Sequence, residues 1–88
     1  MSNKFSIVSV GFNNEINFQR VLGVFCPSSV AGRKLMSESK NDGTVLDVTM
    51  GRKARSVILF DNKTVLLSAL NPQTIKQRGD IAEEEEDE

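Results

Sequence analysis

Arg55-Ser56-Val57-Ile58-Leu59-Phe60-Asp61-Asn62-Lys63-Thr64-Val65-Leu66-Leu67-Ser68-Ala69-Leu70 is the stretch that decides between a helical and a β-rich domain. Residues 55–60 and 63–70 are too short and too rich in apolar and β-branched side chains for an amphipathic helix. Asp61-Asn62 between them is turn chemistry. Val57 to Phe60 and Val65 to Leu67 are apolar at consecutive positions, so both faces of their sheet want cover. One main helix covers one face. The other face is expected to bury against a neighbouring subunit, because a large exposed apolar patch is costly.

Upstream, residues 44–50 (Thr-Val-Leu-Asp-Val-Thr-Met) form another strand-like run. The connector Gly51-Arg52-Lys53-Ala54 is short enough to predict a hairpin with residues 55–60. Its tip would carry Arg52 and Lys53, with Arg55 opening the next strand, as a compact positive knob. Arg binds phosphate or a guanine edge through a planar fork, whereas Lys acts as a point charge. The same residues would also serve as a solubilising turn. Asp47, mid-strand, is expected to hydrogen-bond a turn backbone or pair with an Arg, orienting the basic loop.

Farther upstream, Pro27-Ser28-Ser29 starts a helix and Asn41-Asp42-Gly43 stops it. Steps of about 100° bring Ala31, Gly32, Leu35, Met36 and Ser39 onto one side. Residues 16–25 form one apolar strand with irregular alternation, explained by a bulge near Gly23. Residues 4–10 place Phe5, Ile7 and Ser9 on one face, and Gly11-Phe12-Asn13-Asn14 reads as a turn. Downstream, Asn71-Pro72 caps a short helix to about Arg78.

Charge divides the chain at that point. Residues 80–88 hold seven of the twelve acidic groups and no basic one. Residues 1–79 therefore set eleven Lys and Arg against five Asp and Glu, a formal +6 that the overall −1 conceals. A basic domain (1–79) followed by a disordered acidic tail (80–88) is expected. The basic body suggests a polyanion partner. The tail reads as a solubilising extension, a nucleic-acid mimic or a protein-recruiting segment.

A domain of this size buries roughly 60–65% of its unfolded surface and is marginal alone. Cys26 is the only cysteine, so no internal disulfide forms, and the absence of His removes the usual zinc ligand sets. Self-association is what remains. Cys26 itself is expected to be a small, partly buried apolar residue beside Pro27. No Gly-rich phosphate loop, catalytic triad or metal cluster is present, so neither an enzyme nor a cofactor is expected. No secretory segment opens the chain and no run reaches the ~18–20 apolar residues that span a bilayer. With a lone thiol, a cytoplasmic location away from membranes is expected.

The chain resembles the RemA family of small bacterial regulators of extracellular-matrix genes. The resemblance rests on Gly11-Phe12 with Asn14, on Arg20, and on Leu46-Asp47-Val48-Thr49-Met50-Gly51-Arg52-Lys53-Ala54-Arg55. Ser68-Ala69-Leu70-Asn71-Pro72-Gln73-Thr74-Ile75 and Gln77-Arg78 complete it. It implies a transcriptional regulator that binds double-stranded DNA as a homo-oligomeric ring and bends it, with a LytTR-like subunit. The family's DNA-contacting arginines fall on Arg20 and Arg52, with Lys53 where a second loop arginine is usual. The expected fold is α+β: a small, mostly antiparallel β-sheet domain with one main helix and a short C-terminal helix. Arg20, Arg52, Lys53 and Arg55 are the candidate DNA-binding residues. An RNA-binding regulator is less favoured, because the five Phe sit at core positions and Tyr and Trp are absent. A non-catalytic scaffold acting through the acidic tail is the other alternative.

Overall fold

Val57 and Ile58 have no exposed surface and Val65, Leu66 and Leu67 almost none, which places their two strands at the centre of the molecule. The computed structural model describes residues 7–86. Strands β1 (Ile7–Gly11) and β2 (Asn14–Asn17) form an antiparallel hairpin. β3 (Val21–Phe25), β4 (Val45–Asp47), β5 (Ser56–Phe60) and β6 (Val65–Ser68) form a second sheet in the order β3-β5-β6-β4. Helix α1 spans Val30–Asp42 and α2 spans Pro72–Glu86. The architecture is α+β, and among the described residues only the β4–β6 pairing is parallel.

β5 and β6 pair from Ser56↔Ser68 to Leu59↔Val65 around the Asp61–Thr64 turn, as their sequence predicts. The turn closes with Lys63 N–H donating to the Phe60 carbonyl at 3.0 Å and Thr64 N–H to Asn62 Oδ1 at 3.0 Å. This register puts Val57, Leu59, Val65 and Leu67 on one face and Ile58 and Leu66 on the other. The first face packs against Leu35 and Met36 of α1, together with Phe25 and Val45. The second packs against Val8, Val10 and Ile16 of the hairpin and Ile75 of α2. Both faces are therefore covered within one chain. The expectation that a neighbouring subunit must cover the second face is corrected: residues 7–17 leave the main sheet and lie across it as a separate hairpin.

The hairpin expected between residues 44–50 and 55–60 does not form. β6 lies between β4 and β5, with Val45↔Val65 and Asp47↔Leu67 in parallel register. β4 and β5 are thus two strand spacings apart, about 9.5 Å, which a tight turn cannot bridge. Residues 48–55 instead cross the end of β6. Val48 N–H donates to the Leu67 carbonyl at 3.1 Å and Arg55 N–H to the Ser68 carbonyl at 2.8 Å. β6 is buried along its whole length, so both its edges need partners, and β4 supplies the second.

The apolar run 16–25 is also two strands rather than one. A 3-10 turn at Phe18–Arg20 carries the chain from the hairpin into the main sheet. The register shift expected near Gly23 lies between Val21 and Gly23. In β1 the buried phase is Val8 and Val10, with Ile7 exposed, opposite to the expected face; Phe5 lies outside the described residues. Ser68 Oγ donates to the Val10 carbonyl at 2.8 Å, tying the hairpin to β6.

α1 follows its signals closely. Ser29 Oγ accepts from Gly32 N–H at 3.0 Å, and Gly43 ends the helix at φ 72°. Gly32 is required by close approach, since a Cβ there would lie 2.0 Å from the Cys26 carbonyl oxygen. α2 is longer than expected and runs through Gly79 into the acidic segment as far as Glu86, so regular structure does not end at residue 79. Gly79 is not a terminator. A Cβ at that position would lie 2.4 Å from the Phe18 ring, so glycine lets α2 rest against the 3-10 turn, and glutamate is a good helix former beyond it.

Candidate nucleic-acid interface

The crossover from β4 to β5 carries three of the four candidate residues, and its shape is set by Asp47. Asp47 Oδ1 accepts from Thr49 N–H at 2.9 Å and from Thr49 Oγ1–H at 2.6 Å. These bonds, the hydroxyl first, hold its carboxyl below the usual carboxylate range; Lys40 acts in the same direction more weakly, and burial opposes them. Thr49 is buried and anchors the turn that follows, closed by Arg52 N–H to the Thr49 carbonyl at 3.1 Å. Met50 and Gly51 take φ of 55° and 82°. Asp47 is exposed, and it fulfils its expected role of orienting the basic loop.

That turn meets the β1–β2 tip. The Arg52 guanidinium carbon lies 5.7 Å from the centroid of the Phe12 ring. Phe12 sits in a turn where Gly11, Phe12 and Asn13 all have positive φ (102°, 55° and 66°). Asn14 Nδ2 donates to the carbonyls of Gly11 and Phe12 at 3.1 and 3.2 Å and fixes the tip. The Phe12–Arg52 contact was not legible in the sequence; a bulky residue between Gly and Asn in a turn was the available signal.

Lys53 and Arg55 are exposed, while Ala54 between them packs against the α1-side core. They line a cleft of about 450 Å³ with Cys26, Pro27, Ser28, Asn71 and Pro72. Cys26 is exposed rather than partly buried, because β3 ends before it and its carbonyl is taken up by Ser29. Its Sγ lies 3.1 Å from Ser28 Oγ. That contact, helped by the backbone of Ser28 and Ser29 against slight burial, lowers the thiol pKa.

Arg20 is elsewhere. Its Nε pairs with Asp61 Oδ2 at 2.8 Å, and its carbonyl accepts from Asp61 N–H at 2.9 Å. Arg55 and Asp61 flank β5 at opposite ends, roughly 20 Å apart along a strand. The fold therefore gathers Arg52, Lys53 and Arg55 at one end of the sheet and holds Arg20 at the other. The Arg20 side chain is 62% exposed, so its ion pair contributes little and leaves guanidinium donors facing solvent. Of the remaining cations, Arg78 donates from Nη1 to the Ser9 carbonyl at 3.0 Å. Among the described residues no group of His, Cys, Asp or Glu could hold a metal ion, and no helix is long and apolar enough to cross a membrane.

The family profile described as RemA-like, extracellular matrix regulatory protein A-like, matches residues 7–78. A protein of Finegoldia magna is 36% identical over 80 residues, covering 91% of this chain and 96% of its own. One of Pseudothermotoga lettingae is 36% identical over 74 residues (84% and 81%), and one of Fervidobacterium nodosum 38% over 74 residues (84% and 80%). All three carry the name "Putative regulatory protein". The matched span takes in the hairpin, the main sheet, α1 and the start of α2. By that match and these identities, the chain belongs to the RemA-like family of extracellular matrix regulatory proteins.

Proposed function

We propose that the protein is a cytoplasmic DNA-binding transcriptional regulator whose LytTR-like subunits assemble into a homo-oligomeric ring. The observation that carries this reading is the anchored turn: Asp47 and Thr49 hold a rigid loop from which Arg52, Lys53 and Arg55 project on a body of formal +6. Membership of a family whose relatives are named as regulators supports it. Duplex DNA is the partner such a surface suits. Arg52 and Lys53 neutralise phosphates, and Arg20 adds a contact from the far end of the sheet.

A few contacts per subunit bind weakly. Repetition around a ring brings many onto one duplex, and avidity then supplies most of the affinity. Few side chains are left to read base edges, so selectivity comes from bendable DNA with phased sites. The experiment is a comparison of duplexes by fluorescence anisotropy: AT-rich DNA long enough to touch several subunits against DNA spanning one. The long duplex binds much more tightly per site. Equal affinity per site would overturn the avidity mechanism.

A further inference from the structure

Two exposed large apolar side chains stand on the tips of the two turns that meet through Arg52. Phe12 is 46% and Met50 72% exposed. Both are held at φ 55°, in the left-handed region that bulky side chains avoid. Gly or Asn would adopt that backbone with less strain, and neither turn buries its large residue. Strain of this kind, retained by a surrounding structure that dictates it, marks a position where the side chain has work to do.

The surroundings are rigid and basic. Asn14 bonds lock the first tip, and Asp47 with Thr49 locks the second. Arg52, Lys53 and Arg55 follow within five residues of Met50. The only carboxylate in that loop is Asp47, already bound to Thr49 and under the field of Lys40. Burying so many like charges against a second copy of the same basic surface would carry a large desolvation and repulsion cost. Against a polyanion they are neutralised. Apolar wedges flanked by Arg and Lys are what minor-groove binders insert between base steps, and Phe and Met are among the side chains that serve.

We propose that Phe12 and Met50 form a wedge that enters the minor groove of duplex DNA and partly unstacks a base step, while Arg52 and Lys53 hold the flanking phosphates. This rests on the DNA-binding reading and adds to it a contact with the base stack. The step entered is a flexible pyrimidine–purine step, TA or CA/TG, because those unstack at least cost.

The test uses the full chain and a duplex with phased TA steps, 2-aminopurine replacing adenine at one of them. Anisotropy reports binding, and 2-aminopurine emission reports unstacking. The wild type brightens the probe as it binds. Phe12→Asn combined with Met50→Asn folds, since Asn tolerates positive φ; it retains the salt dependence of binding and loses the brightening. Binding by wild type without brightening at any TA step overturns the wedge and leaves the regulator intact. Brightening undiminished in the double variant also overturns it. A fall in the variant's sedimenting mass assigns the tips to a subunit contact and overturns it too. No binding by the wild type at low salt overturns the DNA-binding reading and the wedge with it.

Discussion

The Arg52 guanidinium lies over the Phe12 ring, 5.7 Å from its centroid, and joins the crossover turn to the tip of the β1–β2 hairpin. Residues forty positions apart are brought into one surface by a crossover, because β6 takes β4 and β5 on its two edges. At this exposure the contact contributes about 0.5–1 kcal/mol. Arg52→Lys keeps the charge and loses the planar stack. Its stability in urea should fall by no more than that contribution while DNA affinity falls; unchanged affinity would show that charge alone acts here.

Asp47 governs the shape of the loop. Asp47→Ala removes both bonds to Thr49 and should lower stability by about 1 kcal/mol, measured by urea denaturation. DNA affinity should fall although a negative charge has been removed. A rise in affinity would mean that the charge, and not the turn, is what Asp47 contributes. The carboxyl pKa is depressed by folding, so its contribution is complete above about pH 4 and is lost as pH falls through the lower folded value. Wild type and Asp47→Ala should therefore converge in stability at strongly acid pH.

Gly79 tests how α2 is seated. Alanine is the better helix former, by up to about 1 kcal/mol, so an unhindered site would gain stability. Here the added Cβ meets the Phe18 ring at 2.4 Å, and overpacking of that kind costs about 1–3 kcal/mol. Gly79→Ala should lower the thermal midpoint, and Gly79→Ala with Phe18→Leu should recover part of it. A stabilised single variant would contradict the placement of α2 against the 3-10 turn.

Cys26 should behave as an activated thiol. The Ser28 hydroxyl and nearby backbone N–H groups lower its pKa, so more thiolate is present near neutral pH than for an ordinary cysteine of about 8.5. Its rate of alkylation by iodoacetamide should rise with pH to a midpoint below that of an ordinary exposed cysteine. Ser28→Ala should move the midpoint upward; an unchanged profile would remove the hydroxyl as the cause.

The elements whose signals are local were legible in the sequence. Ser29 and Gly43 bound α1, Asp61-Asn62 turns β5 into β6, and the positive-φ turn at Gly11 to Asn13 stands where Gly and Asn predict it. What could not be read was pairing between distant strands. β4 is only Val45–Asp47, and nothing within it distinguishes β5 from β6 as its partner; the demand comes from β6, buried along its whole length. The phase of β1 failed for a related reason, since the choice between Ile7 and Val8 is made by the sheet on which the hairpin lies. The length of α2 was not legible, because the acidic run reads as a solvated tail while Gly79 lets the helix continue past Phe18. Of the candidate site, Arg52, Lys53 and Arg55 were found as one cluster, while the separation of Arg20 from them follows from the strand order.

The most direct measurement is the salt dependence of DNA binding by the full chain, wild type beside Arg52→Ala. Counterion release gives a log–log slope of about −0.9 for each phosphate neutralised. A ring of subunits gripping DNA through the anchored turn predicts a steep wild-type slope that becomes shallower by about 0.9 for every subunit in contact when Arg52 is removed. Equal slopes and affinities for the two proteins would place the DNA on another surface and contradict the account.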